Sequence, residues 1–190
     1  AYRRQRQMCI RDRTYAEYRK STEIMNVLLG PATVALAVPL YLNLRRIRQL
    51  FWPTFTTLVV GGVFATGICL LLGWWFGAEH MILMTLAPKS VTSPIAMLVA
   101  EQIGGVAALA AVFVLITGVI GAIFGPALLT RLGVRSPEAR GMALGLTAHA
   151  VGTSVALQES EECGAFAALA MSLMGVATAV FLPLAVSLVA

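Results

Sequence analysis

Lys89 is the residue whose surroundings most clearly suggest chemistry. It stands in an apolar stretch between Pro88 and Pro94, beside Ser90, Thr92 and Ser93. A charge at membrane depth costs about 2.5–3.5 kcal/mol on insertion scales, so it is kept there for a task or hidden. The prolines release backbone groups from helical pairing, and the hydroxyls add donors. Together they would form a cationic pocket suited to a carboxylate. The plainer readings are a lysine that snorkels to the interface or one that pairs with a structural acid such as Glu101. His149 lies between Thr147 and Gly152-Thr153. An imidazole can donate, accept or titrate near neutral pH, so it could bond a substrate, carry a coupled proton, or simply tie helices together. Gly152 would let the backbone bend and turn amides toward an anion, with the Thr153 hydroxyl beside it. Thr33, between Pro31 and Pro39, could serve a substrate or the broken backbone, and Gly30 would offer a further amide.

Other chemistries lack their residues. There is no phosphate-binding loop, dinucleotide fingerprint, HExxH or Cys/His metal set. Cys9, Cys69 and Cys163 show neither metal spacing nor a disulfide framework. With no acid–base pair, the expectation is a protein that is not an enzyme and uses no cofactor or metal.

Composition sets the medium. With glycine counted, roughly 65% of the 190 residues are apolar, against about 45–50% in soluble domains. Charged residues are 12%. Such a chain lacks the polar surface of a water-soluble enzyme, a disordered regulator or a nucleic-acid module. The formal charge of +5 is concentrated in residues 1–13, which hold five Arg and one Asp. The rest is nearly balanced, so no basic face for nucleic acid is expected.

Charge-free windows at 24–44, 49–78, 102–130, 141–158 and 163–190 run from 18 to 30 residues, against the roughly 20 a spanning helix needs. Backbone groups in hydrocarbon must pair internally, so helices are expected. Arg45, Arg46 and Arg48 follow the first window, and Arg131, Arg135 and Arg140 follow the third; both clusters should lie in the cytoplasm. Residues 80–105 would then leave and re-enter on the opposite side, as a re-entrant hairpin or a broken helix pair, and 24–44 would do the same from the cytoplasmic side. Gly30-Pro31-Ala32-Thr33-Val34, Pro88-Lys89-Ser90-Val91-Thr92 and His149-Ala150-Val151-Gly152-Thr153 each precede a glycine-containing apolar helix. The first two such units would be inverted, an arrangement that brings broken helices together near the midplane in transporters. Gly61/Gly62 and Gly118/Gly121/Gly125 read as close-packing faces. Trp52, Trp74 and Trp75 read as interfacial anchors, and Glu159, Glu161 and Glu162 as a solvated loop.

Residues 1–13 resemble translated sequencing-adapter read-through and are set aside as a non-native tail, leaving 14–190 as the transmembrane domain. The stretch Leu29 to Tyr41 resembles the first signature of the LrgB/CidB family. Pro88 to Ala96, followed by Gly104-Gly105, resembles its second, and Thr117 to Ala122, Ala139-Arg140-Gly141 and His149 to Thr153 also match. Ser93 stands where the family often has Thr, which keeps the hydroxyl. Membrane segments that precede the Tyr15 and Tyr18 region in the family are expected to be missing here, an N-terminal truncation.

The resemblance implies an all-α, multi-pass protein of the bacterial inner membrane with broken or re-entrant helices and inverted repeats. It implies either a carrier of small carboxylates, as in the plastid glycolate/glycerate transporter and bacterial pyruvate or hydroxy-acid systems, or an antiholin-like regulator of murein hydrolases and lysis. It also implies an LrgA/CidA-type membrane partner; homo-oligomers are a further expectation. The residues themselves favour the carrier, with Lys89, Ser90, Thr92, Thr33, His149, Gly152, Thr153 and Gly30 as its substrate site.

Overall fold

The computed structural model describes residues 37–189. The chain divides into two compact units, Ala1–Val38 and Pro39–Ala190; the helices described belong to the second, apart from the first two residues of α1. Among the described residues every regular element is a helix: α1 (Ala37–Leu42), α2 (Leu44–Gln49), α3 (Phe51–Trp75), α4 (His80–Leu86), α5 (Ser93–Gln102), α6 (Ala107–Arg131), α7 (Pro137–Glu159) and α8 (Glu161–Val189). The 1–13 tail, Gly30 and Thr33 lie outside the described residues.

Three helices, α3, α6 and α8, are long and apolar enough to cross a membrane. They carry large apolar side chains on their outer faces, among them Val60, Phe64, Ile123, Phe124, Phe181 and Leu184. In water such surface would drive aggregation; in a bilayer it meets acyl chains. Trp52, Trp74 and Trp75 are exposed at the two ends of α3, the depth at which amphipathic rings settle.

The remaining segments double back. α7 is two helical limbs joined across a kink, and Arg140 and Glu159, nineteen residues apart, bond at 2.6 and 2.7 Å. A straight helix would hold them about 28 Å apart. The reversal falls at His149, whose φ of 41° and ψ of −127° are not helical. Residues 137–148 and 150–159 are therefore antiparallel limbs of a hairpin with its tip at His149. The segment 80–105 also folds back. α4 and α5 flank the turn that holds Lys89, and the Val106 amide donates to Thr85 Oγ1 at 2.9 Å, closing its open end. Gly105 must be glycine here, because a Cβ would lie 2.9 Å from the Thr85 amide nitrogen.

The hairpins occupy opposite halves of the bundle. Arg46 reaches Glu138 at 2.7 Å and Glu162 at 3.5 Å, so the two arginine-bearing connections share one end, as the charge rule predicts. The 137–159 hairpin (the inner hairpin) packs on the α8 half beginning at that charged end, through Met142, Leu146, Phe166 and Ala170. The 80–105 hairpin (the outer hairpin) packs on the far half, where Ala87, Val99 and Ile103 meet Leu182 and Val186. Each is followed by a long helix, α8 and α6 respectively, running in opposite directions. The second and third broken segments are thus inverted relative to one another; the inversion expected between the first and second falls mostly outside the described residues.

Glycine lets the limbs approach at backbone distance. A Cβ at Gly141 or Gly145 would run into the carbonyls of Cys163 and Ala167 on α8. In lipid, where no hydrophobic effect separates helix from solvent, such close contact drives association. Gly145→Ala is expected to lower the thermal midpoint in detergent, at a cost of about 1–3 kcal/mol from overpacking. Gly67→Ala, with open space around it, should leave the midpoint unchanged or slightly raised. A Gly145→Ala protein as stable as the parent would contradict the backbone contact.

Candidate functional site

The two hairpin tips meet against the middle of α6. His149 Nε2 lies 3.0 Å from the Val114 carbonyl. A carbonyl only accepts, so Nε2 bears the proton and Nδ1 holds the lone pair in the neutral ring. Val114 also packs with Val91 from the outer turn and Met174 of α8 in one buried cluster. It lies about 10 Å along α6 from the helix start. Gly118 makes the docking possible, since a Cβ there would sit 2.7 Å from His149 Cε1. Gly121 and Gly125 take Ala148 and Leu144 of the same limb in the same way. The small-residue face predicted on α6 is thus the seat of a hairpin within this chain.

His149 is the one non-glycine position with positive φ among the described residues. Such a backbone costs on the order of 1–3 kcal/mol and persists only where its surroundings hold it. Here the ring is tied to Val114, and the His149 carbonyl accepts from Thr153 Oγ1 at 2.8 Å. The Thr153 hydroxyl is therefore engaged in holding the turn. Gly152 is buried, and a Cβ there would strike the Leu144 carbonyl, so its local task is to let the limbs approach.

Lys89 lies half-buried at the outer tip, donating to Ser90 Oγ at 3.1 Å. Among the described residues no carboxylate is within ion-pair distance of it; Glu101 is exposed and does not reach it. Thr92, half-buried, makes no side-chain bond to the α5 terminus it precedes. The structure thus brings Lys89, Ser90 and Thr92 together on one turn, and Val91 of that turn packs with Val114, whose carbonyl His149 meets. The described residues include no group of three or more His, Cys, Asp or Glu suited to a metal. A cavity of about 300 Å³ lies elsewhere, at the charged end, between the start of α3 and the start of α7.

That end holds residues the sequence reading undervalued. Glu159 and Glu162 are not a solvated loop: only Ser160 separates α7 from α8, and both carboxylates are ion-paired. The Arg140 guanidinium grips Glu159 with two donors and also bonds Thr130 Oγ1 at 3.2 Å, the Val134 carbonyl at 3.1 Å and the Pro126 carbonyl at 3.4 Å. It joins both limbs to the end of α6. The signal was present: a window of only 18 residues bracketed by opposite charges, with the GxxxG pair Gly141 and Gly145 at one end. The Arg140 bond holds the Glu159 carboxyl below its usual range. Hydrogen bonds from Ser136, from the Glu138 amide and from Arg46 bring Glu138 down to about 2.

Two re-entrant hairpins entering from opposite ends, packed among long apolar helices, define a polytopic helical membrane protein. The chain belongs to the LrgB-like family, whose model matches residues 7–188. It is 39% identical over 179 residues to the uncharacterized protein YxaC of Bacillus subtilis (strain 168), covering 91% of this chain and 75% of that one. It is 34% identical over 175 residues to an uncharacterized protein of Haemophilus influenzae, covering 92% and 76%. It is 30% identical over 171 residues to the antiholin-like protein LrgB of Bacillus mycoides, covering 90% and 74%. No solved structure matches the chain.

A carboxylate whose folded pKa is depressed stabilises the fold above its ordinary pKa and loses that contribution as pH falls through the folded value. The Glu138 contribution is therefore expected to be full above about pH 4.5 and to disappear toward pH 2. Thermal midpoints in detergent should fall across that window in the parent and less steeply in Glu138→Gln. Parallel curves for the two proteins would remove Glu138 from the account.

Proposed function

We propose that this chain carries small monocarboxylates or hydroxy acids, of the glycolate, glycerate or pyruvate kind, across the bacterial inner membrane. The observation that supports this reading best is Lys89: a cation inside the bundle, on a broken turn, with hydroxyls beside it and no acid among the described residues to neutralise it. A carboxylate entering such a site would provide the missing charge. Ser90 and Thr92 would bond its oxygens. His149, with Nε2 committed to Val114, would offer Nδ1 to the substrate or to a coupled proton. Thr153 and Gly152 would act by holding that imidazole in place. Thr33 and Gly30, the other residues expected to bind substrate, lie outside the described residues. The reading assigns the protein no catalytic turnover. It includes an LrgA/CidA-type membrane partner and self-association as the assembly in which transport takes place.

The names of relatives such as the Bacillus mycoides protein favour a second reading, an antiholin-like regulator of murein hydrolase activity and lysis without transport. Lys89 discriminates between the two. Uptake of labelled glycolate or pyruvate into vesicles holding the protein and its partner should fall at least about tenfold in Lys89→Ala, equivalent to about 1.4 kcal/mol of lost binding. Lys89→Arg, which keeps the charge but changes its shape, should retain part of the activity. Absence of uptake by the parent protein would end the carrier reading, wild-type uptake in Lys89→Ala would remove Lys89 from the mechanism, and lysis control that survives Lys89→Ala without any uptake would favour the regulator.

A further inference from the structure

The charged-end cavity and the base of the inner hairpin share a wall. Residues 137–148 line the cavity through Glu138, Met142 and Ala143, facing Thr54 of α3 and Phe166 of α8. Thr54 is buried and lines the cavity. Just beneath, Met142, Leu146 and Phe166 form an apolar layer with Ala170. Leu146 is one helical turn deeper than Met142, and His149 lies three residues beyond it. This layer is therefore all that the limb places between the cavity and the tip.

Two ion pairs tie the same limb at its base: the exposed Arg46 holds Glu138, and the more enclosed Arg140 holds Glu159. Arg140 joins it to Glu159 on the return limb and to three acceptors at the end of α6. The opposite extremity of the hairpin is the strained turn at His149. An exposed pair such as Arg46–Glu138 adds little, so a two-limbed element pinned at its tip can swing at its base only if the enclosed Arg140–Glu159 pair parts.

We propose that the inner hairpin is a gate locked by the Arg140–Glu159 pair, and that the charged-end cavity is the vestibule it separates from Lys89 and His149. Parting of the pair frees the limb bases while the tip remains docked on Gly118, and Met142 and Leu146 withdraw from the path. What passes through is, on the carrier reading, a small carboxylate; the opening itself is independent of that reading. Arg140 and Glu159 are positioning residues, acting on the site through the hairpin.

The test is accessibility of the layer. A single cysteine replaces Leu146 in the full chain, with Cys9, Cys69 and Cys163 replaced by Ala, and the protein is reconstituted into vesicles. The probe is a small, negatively charged methanethiosulfonate added on the charged side, and the readout is the rate of labelling. With the pair intact, labelling should be slow compared with a control cysteine at the exposed position 139. Glu159→Gln should raise the rate at position 146 about tenfold, because removing one partner of a partly buried pair leaves the other uncompensated. If Glu159→Gln does not yield a folded protein, Glu159→Asp decides, with a rise of at least about threefold expected from its shorter reach. A rise below threefold in the folded variant, or parent labelling as fast as at position 139, overturns the gate. The two proposals fail separately: absence of uptake by the parent protein ends the carrier reading while the labelling result stands, and unchanged labelling ends the gate whatever the uptake shows.

Discussion

A backbone that reverses direction inside a bilayer must find every hydrogen bond within the protein, because hydrocarbon supplies none. Among the described residues the chain reverses twice in this way. At the inner tip the turn is closed by the His149 ring on the Val114 carbonyl and by the Thr153 hydroxyl on the His149 carbonyl. At the outer tip it is closed by the Lys89 amide on Leu86, the Val91 amide on Pro88, and Thr85 spanning from Met81 to Val106. Among the described residues no buried side-chain nitrogen or oxygen lacks a partner. The polar residues that make this chain unusual for a membrane protein are first of all the means by which its turns exist at all.

Close packing follows from the same constraint. A hairpin of two short limbs buries little surface of its own, so it must lean on long helices, and in lipid it can do so only by approaching them closely. Gly118, Gly121 and Gly125 form a groove on α6 for one limb, and Gly141 and Gly145 bring that limb onto the backbone of α8. Charge is confined largely to the far ends of these contacts. Arg46 and Arg140 bind their carboxylates at the charged end, where the desolvation that makes buried pairs costly is partial. The hairpin thus has an apolar body, a hydrogen-bonded tip and an ionic base, three kinds of contact that weaken under different conditions.

Lys89 stands apart from this order. Its hydrogen bond to Ser90 satisfies one donor and leaves the charge unneutralised among the described residues. Evolution keeps such a cation in apolar surroundings only where something outweighs its cost, and a visiting anion is the simplest counterweight. His149 is different: its imidazole is already committed through one nitrogen, which leaves only the other for any further bond.

Much of this was legible in one dimension. The length and apolarity of the windows determined three long helices, since a bilayer demands about that many residues per crossing. The arginine clusters determined a common end, and Pro88, Lys89 and Pro94 marked a break, because proline ends helical pairing wherever it stands. Tertiary structure decided the rest. Nothing in the spacing of residues 141–158 distinguishes a helix from a hairpin, since both limbs keep helical periodicity and the reversal rests on the dihedrals of one histidine. The partners of Arg140, Arg46 and His149 lie 19, 92 and 35 residues away, and a contact over such separation is set by which helices pack together. That is a property of the whole bundle, and no local window contains it.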